Sequence, residues 1–512
     1  MSLVLQSTPL GPTDRLDLGP LVERARAVDP SLRSAFVAYD EGQRHLDHLF
    51  DGDALCITTG QQPGMFLGPL FTVYKALTAV ALARACADTL GRAVTPVFWV
   101  AGDDHDFAEA NHLYSLSPVN TVERLVLRER SHDAPSLPLY RERLGSDVDA
   151  VLAQLIEHTH ETEFRSNILG WLSRHYHAEN DMATAFAGAL AELLGPHGLV
   201  VFRPTHSAAK RAMAPHLLKV LASATSVDDA LVARAAALEA EGRGAPVPVG
   251  DRATPVLIEA ALGRDRLVGD KDPFVARRSQ EAWTLAQLET MAREDPERLS
   301  PNVLLRPAIE TALFPTLAYV AGPGELAYLP QCVPLYHHLD LDPQRPVARW
   351  SGRIIETKVA RVLNKYSLAV DDLAAPEGKL EAQLVKGDMP DDATAALLAL
   401  RDVAAREYPR LQNAAASVDP TLKKSVQSAL NTTLSALTDV EKRLTAHLKK
   451  QNDIVVQQVA KARHNLFPLG RSQERVFSVV PYLIRHGPGL LDAILAEVST
   501  ALPPLDAPTR RA

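Results

Sequence analysis

Two stretches, residues 55–75 and 94–112, each run from a short apolar segment through a polar, glycine-punctuated loop into a helical pattern. In the first, Leu55-Cys56-Ile57 leads into Thr59-Gly60-Gln61-Gln62-Pro63-Gly64 and then Gly68, after which Leu70, Val73, Leu77 and Val80 recur at helix spacing. In the second, Pro96-Val97-Phe98-Trp99-Val100-Ala101 is a continuous apolar run, as expected of a strand buried on both faces. It is followed at once by Asp103-Asp104-His105-Asp106. Units of this kind build an open parallel sheet, in which ligands bind beside the loops at the carboxyl ends of the strands. Both polar clusters are therefore expected on one rim of one sheet.

At 512 residues the chain exceeds a single compact core, so several domains or large insertions are expected. Its 62 acidic and 54 basic residues give a net charge of −8, which disfavours nucleic acid as a partner. Cys56, Cys86 and Cys332 are too few and too far apart for a disulfide framework or a metal pair, and Cys56 and Cys332 read as core residues. The N-terminal stretch shows no basic segment followed by an apolar run. No uncharged apolar run approaches the ~18 residues of a membrane span, so a cytoplasmic chain without membrane contact is expected.

The order of elements suggests a helical lead-in at 1–53 and the first half of an α/β core at 54–115. Mixed α/β insertions follow at 116–302, with a strand near 198–204 and an antiparallel pair at 254–259 and 264–269 that turns at Gly263. The core resumes at 303–353 with Thr316-Leu317-Ala318-Tyr319-Val320-Ala321 and the loop Gly322-Pro323-Gly324-Glu325. Residues 354–465 are almost wholly helical, and Val426, Leu430, Leu437, Val440 and Leu444 fit a heptad seam. A helix over 420–463 is about 65 Å long at ~1.5 Å per residue. It needs a partner: itself, the neighbouring stretch near 392–416, or a second subunit. Residues 466–512 close the coil and return to the body, with a frayed tail after Pro503.

Backbone amides at the start of a helix hold anions. Thr59, Gly60, Gln61, Gln62, Gly64 and Gly68 are thus candidates for substrate or nucleotide binding, although the same glycines also serve a plain strand-to-helix turn. Asp103, Asp104 and His105 are the catalytic candidates, because adjacent carboxylates raise one another's pKa and an imidazole shuttles protons. Asp106, Asn111 and His112 are binding candidates; the alternative for Asp104 or Asp106 is a helix N-cap. Gly322, Gly324, Glu325 and Tyr328 repeat the loop logic in the second half, with Glu325 suited to an amine and Tyr328 to a carboxylate. Lys75 and Arg471 are candidate anion contacts. No residue is assigned to a structural metal.

Several long strings resemble the cysteine-adding enzymes of bacillithiol biosynthesis, also called cysteine ligases. They are Thr59-Gly60-Gln61-Gln62-Pro63-Gly64, Phe66-Leu67-Gly68-Pro69, the run from Phe98 to Phe107, the run from Gly322 to Tyr328, and the run from Leu466 to Arg475. The resemblance covers nearly the whole chain. It implies an α/β fold with a Rossmann-like parallel sheet core related to class I aminoacyl-tRNA synthetases. It also implies connecting-peptide insertions and a C-terminal α-helical coiled coil that forms a homodimer. The implied reaction is the last step of bacillithiol synthesis, joining the cysteine carboxyl to the amine of glucosaminyl malate. ATP with Mg is expected because amide formation from a free carboxylate needs a better leaving group. One departure matters. Where class I synthetases carry a His-x-Gly-His signature, this chain has Phe66-Leu67-Gly68-Pro69, which leaves acyl phosphate and acyl adenylate both open. The rival reading is a catalytically silent, synthetase-like scaffold acting through its coiled coil.

Overall fold

The computed structural model describes residues 3–10, 14–131, 133–386, 389–451 and 453–508, which fall into two compact units. The first comprises Leu5–Ile354 with a return segment from Gln473 onward, and the second comprises Ile355–Ser472 with a few N-terminal residues.

The first unit is built on a six-stranded sheet of β1 (Phe36–Val37), β2 (Cys56–Gln61), β3 (Thr95–Val100), β4 (Val200–Phe202), β5 (Thr316–Ala321) and β6 (Arg345–Ala348). The spatial order is β6-β5-β2-β3-β4-β1, all parallel except that β1 runs antiparallel to β4. Every residue of β3 and β5 is buried, as continuous apolar runs require when helices cover both faces. One face packs Ile57, Leu317 and Val320 against Ala79, Leu82 and Cys86 of the helix Leu70–Leu90. The other packs Trp99, Phe202, Phe314 and Tyr319 with Met213, Leu217 and Ile309. By length and composition the helix Leu70–Leu90 is apolar enough to cross a membrane, yet 78% of its most apolar window is buried inside this unit.

Three features differ from the sequence expectation. The core sheet recruits Val200–Phe202 from the stretch read as insertion and Phe36–Val37 from the stretch read as helical lead-in. Both are short apolar segments whose partners lie far away in the chain, so periodicity alone does not place them. The antiparallel pair is Ala253–Ala260 with Gly263–Val268, where Gly263 opens the second strand opposite Ala260 instead of forming the turn itself. Near the C-terminus, Leu505–Asp506 pair with Leu16–Asp17, so the tail after Pro503 is tied down at that point; residues 509–512 lie outside the described residues.

The second unit is helical. Asp391–Val418 and Leu422–Gln451 run antiparallel, joined by Arg401 to Glu441 at 2.7 Å and by Tyr408 to Thr433 at 2.6 Å. Val459, Ala462 and Leu466 pack with Val359, Leu363, Leu373 and Leu380 into a separate core. Arg463 is buried there against both carboxylate oxygens of Glu381. Val440 and Leu444 of the heptad seam are 48% and 39% exposed, so the face turned to the neighbouring helix runs through Val426, Leu430 and Leu437 without them.

Candidate functional site

Chain order reverses at β2: β3 and β4 are added on one side and β5 and β6 on the other. A crevice opens at such a switch point, outside the carboxyl ends of the strands. It is a cavity of about 320 Å³ lined by Gly60, Gln61 and Gln62 after β2, by Ala101, Asp104 and Glu109 after β3, and by Gly322–Glu325 after β5. Phe71, Trp99, Val303 and Tyr328 supply apolar or aromatic wall, and Lys75, Arg306, Arg349 and Arg475 supply positive charge.

The β2 and β5 loops are held together from beneath by a buried charge network. Lys75, from the helix after β2, is 1% exposed; its Nζ donates to the Gly60 carbonyl and to Glu325 Oε2, each at 2.5 Å. Glu325 Oε2 also accepts from the Gly322 amide at 2.7 Å, and Oε1 accepts from the Tyr319 hydroxyl. Arg306 donates to the Tyr319 and Tyr328 hydroxyls at 3.1 Å each and to Glu310 at 3.1 Å. Glu310 in turn accepts from Gln344 at 2.8 Å and from Thr58.

The electrostatics follow from these neighbours. Burial pushes the Lys75 ammonium below its ordinary pKa, and Glu325 pulls it partly back. Burial also works against ionisation of Glu325, but Lys75 and Arg306 outweigh it and hold the carboxyl below the usual range. For Glu310 burial wins over Arg306, and the carboxyl is raised.

Gly60 is required by close approach, since a Cβ there would meet the Trp99 carbonyl oxygen at 2.8 Å. Thr59 faces away from the cavity and bonds the Val320 carbonyl at 2.8 Å, tying β2 to β5. Gln62 donates to the Asp106 carbonyl at 2.9 Å and so links the first two loops.

Of the sequence candidates, Gly60, Gln61, Gln62, Asp104, Gly322, Gly324, Glu325, Tyr328 and Lys75 share this cavity. The others do not line it. Asp103 is buried against Lys210 Nζ at 2.5 Å, where it anchors the loop after β3. His105 presents no side chain to the cavity, and burial lowers its pKa. Asp106 caps the next short helix through the Glu109 amide at 3.1 Å. Asn111 is fully buried; its amide nitrogen donates to the Arg128 carbonyl at 2.6 Å and its Oδ1 accepts from His112 Nδ1 at 3.0 Å.

Gly64 and Gly68 border a sealed loop. Phe66, Leu67 and Gly68 all have positive φ, and both side chains are fully buried. Tyr176 fixes the loop by accepting from the Leu67 amide at 3.1 Å and donating to the Gly64 carbonyl at 3.0 Å. The segment that takes the place of the synthetase histidines is thus core, not cavity. Arg471 is exposed and lies outside the lining.

Sequence reasoning did not single out Glu109, Arg306, Arg349 or Arg475 as site residues. Glu109 stands next to Asp104 in the lining. Desolvation and the carboxylates of Asp106 and Asp104 push its carboxyl above the usual range, with Arg475 pulling the other way. One signal was available: Glu109 lies three residues after Asp106, one helical turn beyond the acidic string. Arg306 and Arg349 have no such signal, because they come from segments far apart in sequence, and Arg475 ends the run from Leu466 that carries part of the resemblance without a local pattern that points it to the cavity. Among the described residues, no group of three or more His, Cys, Asp or Glu side chains is arranged to hold a metal ion.

The depressed Glu325 pKa has a pH consequence. A carboxyl whose native pKa lies below its unfolded value contributes stability that is present above the unfolded value, ~4.3, and lost as pH falls through the native one. Glu325→Gln leaves Lys75 buried without its counter-charge and is expected to cost about 3–5 kcal/mol at pH 7. Denaturant unfolding of both proteins from pH 7 to pH 3 is expected to show that gap narrowing with acid. A gap independent of pH contradicts the assignment.

The family model described as "Bacillithiol biosynthesis BshC, N-terminal Rossmann-like domain" matches residues 28–345. That for the BshC "C-terminal coiled-coil domain" matches residues 353–501. A protein of Prosthecochloris aestuarii named "Putative cysteine ligase BshC" is 29% identical over 479 residues, covering 89% of this chain and 83% of its own. One of the same name from Salinibacter ruber is 32% identical over 455 residues, covering 88% and 82%. One from Chlorobaculum tepidum is 28% identical over 474 residues, covering 89% and 83%.

Proposed function

The chain belongs to the bacillithiol biosynthesis BshC family, and from that premise we propose that it joins the carboxyl of cysteine to the amine of glucosaminyl malate, with ATP-dependent activation of the carboxyl. The observation that carries this reading is the polarity of the switch-point cavity. Asp104 and Glu109 bring carboxylates to it, and Arg306, Arg349 and Arg475 bring guanidinium groups.

An amine reaches the site as an ammonium ion and attacks only after losing a proton. The carboxylates attract the ammonium, and Glu109 takes the proton. Its raised pKa makes it a stronger base than an ordinary carboxylate. Asp104 is braced for its part by the His105 amide at 2.7 Å and the Asp106 amide at 3.2 Å, which fix one of its oxygens. Gln61 and Gln62 offer neutral donors and acceptors for sugar hydroxyls or an amino acid. Phe71 and Trp99 give the lining an apolar part, which disfavours the water that competes with the amine for an activated carboxyl.

The anionic co-substrate fits the guanidinium groups, among which the buried Arg349 keeps one Nε–H without a partner. When bound, ATP supplies the leaving group that a free carboxylate lacks. Among the described residues no side chains make a metal site of their own, and magnesium is expected to come bound to the nucleotide.

A silent scaffold is not favoured, since the relatives carry the name of a ligase and the cavity is lined for chemistry. The helical hairpin exposes Leu398, Leu400, Leu411, Val440 and Leu444, which supports pairing with a second copy of the chain. Sedimentation at micromolar concentration is expected to give twice the chain mass, and a monomer mass contradicts that pairing.

Steady-state kinetics test the role of Glu109. Glu109→Gln is expected to lower kcat about 10²–10⁴-fold with little change in KM. In the wild type, kcat is expected to fall as pH drops through the raised Glu109 pKa, because the base must be ionised. Asp104 and Asp106 shift that limb upward and Arg475 shifts it downward. The Gln variant is expected to lose the limb, and a variant with full activity contradicts the assignment.

A further inference from the structure

The string from Leu466 to Arg475 carries part of the family resemblance, yet the ligase reading leaves its end without a role. Gln473–Arg475 form a single tight turn in the first unit. Gln473 is clamped to the backbone of Ile354, accepting from its amide at 2.8 Å and donating to its carbonyl at 3.0 Å. Glu474 is 5% exposed and receives Arg349 through two bonds of 2.9 and 2.6 Å, and Ser351 at 2.9 Å. The third residue, Arg475, is exposed and lines the cavity, and it makes no hydrogen bond or ion pair among the described residues. Two anchored residues thus deliver a cation that has no hydrogen-bond or ion-pair partner, although its charge acts on Glu109.

Arg349 adds an independent sign. It is 3% exposed, and both its Nη atoms are committed to Glu474, but its Nε has no partner. That Nε lies 3.8 Å from where a Cβ on Gly322 would stand, at the cavity wall. A buried donor without an acceptor is unfavourable unless a ligand supplies one. The cavity lining therefore holds a guanidinium fork without a hydrogen-bond or ion-pair partner and, on another arginine, an unsatisfied N–H. Planar forks match carboxylate and phosphate oxygens, which a point-charge ammonium does less well.

We propose, resting on the ligase reading above, that Arg475, backed by Arg349, binds an oxyanion of the substrates, either a carboxylate of the amine acceptor or a phosphate of the nucleotide. In the acceptor case, the anion is held by these arginines while the ammonium lies against Asp104 and Glu109. One molecule carrying both charges is then oriented at both ends, and a glucosaminide without a carboxylate is discriminated against.

Calorimetric titration of the full chain distinguishes the possibilities, with glucosaminyl malate, methyl glucosaminide and ATP as separate probes. Arg475→Ala is expected to weaken one anionic probe about 10- to 100-fold and to leave methyl glucosaminide unchanged. Arg475→Lys is expected to restore part of the loss. Loss confined to glucosaminyl malate assigns the acceptor carboxylate, and loss confined to ATP assigns the phosphate. Unchanged binding of both anions by Arg475→Ala overturns the proposal but leaves the ligase reading standing. Equal weakening of methyl glucosaminide also overturns it, because it marks a general distortion. A wild-type chain that binds neither glucosaminyl malate nor ATP overturns both.

Discussion

The ion pair between Lys75 and Glu325 joins the helix that follows one strand to the loop that follows its neighbour, and the cavity depends on that junction. The Gly60 carbonyl and the Gly322 amide, one from each side of the switch point, meet the same two side chains. A buried ammonium and a buried carboxylate are each costly alone, so neither loop can move far without exposing an unpaired charge. Arg306 and Glu310 extend the constraint to the helix before β5, and Tyr319 and Tyr328 close it. What the crevice gains is rigidity at the point where a parallel sheet is open to ligands. Glu325 and Tyr328 gain it by being occupied, so their contribution to function is support of the loops more than direct contact.

On that frame the acidic and basic side chains are sorted to different elements. Asp104 and Glu109 follow β3, while the cations come from Arg306, Arg349 and Arg475. The sorting suits a reaction between a cationic amine and an anionic, activated carboxyl. A hydrophobic floor of Trp99 and Phe71 lowers the local dielectric and strengthens both sets of interactions.

Local signals in the sequence carried much of this, and long-range ones did not. The strands at 95–100 and 316–321 are unbroken apolar runs and are legible as buried strands. The loops after them are legible because glycines and acids cluster there. The strand at 200–202 is legible as a strand but not as a member of the core, since its parallel neighbour is 100 residues away in chain terms, roughly, and parallel pairing leaves no turn signature. Asp103 and Asp104 look equivalent in sequence. Lys210, arriving from a distant helix, buries the first and leaves the second in the cavity. Phe66-Leu67-Gly68 was legible as a departure from the synthetase signature, but its burial depends on Tyr176 and Ser478, which no local pattern ties to it. The heptad seam did not say which of its residues meet the antiparallel neighbour, and Val440 and Leu444 stay exposed beside it, because a repeat of apolar residues does not specify its partner.

The central claim is that this cavity makes an amide by activating a carboxyl at the expense of ATP. Labelling both carboxyl oxygens of cysteine with ¹⁸O and incubating it with the purified chain, glucosaminyl malate and Mg·ATP tests it directly by mass spectrometry. The amide keeps one labelled oxygen, and the account predicts that the other leaves with the phosphate-containing product. Whether that product is inorganic phosphate or AMP identifies the bond of ATP that is used. Amide formed without label in either, or no amide from a folded chain that binds its substrates, contradicts the account.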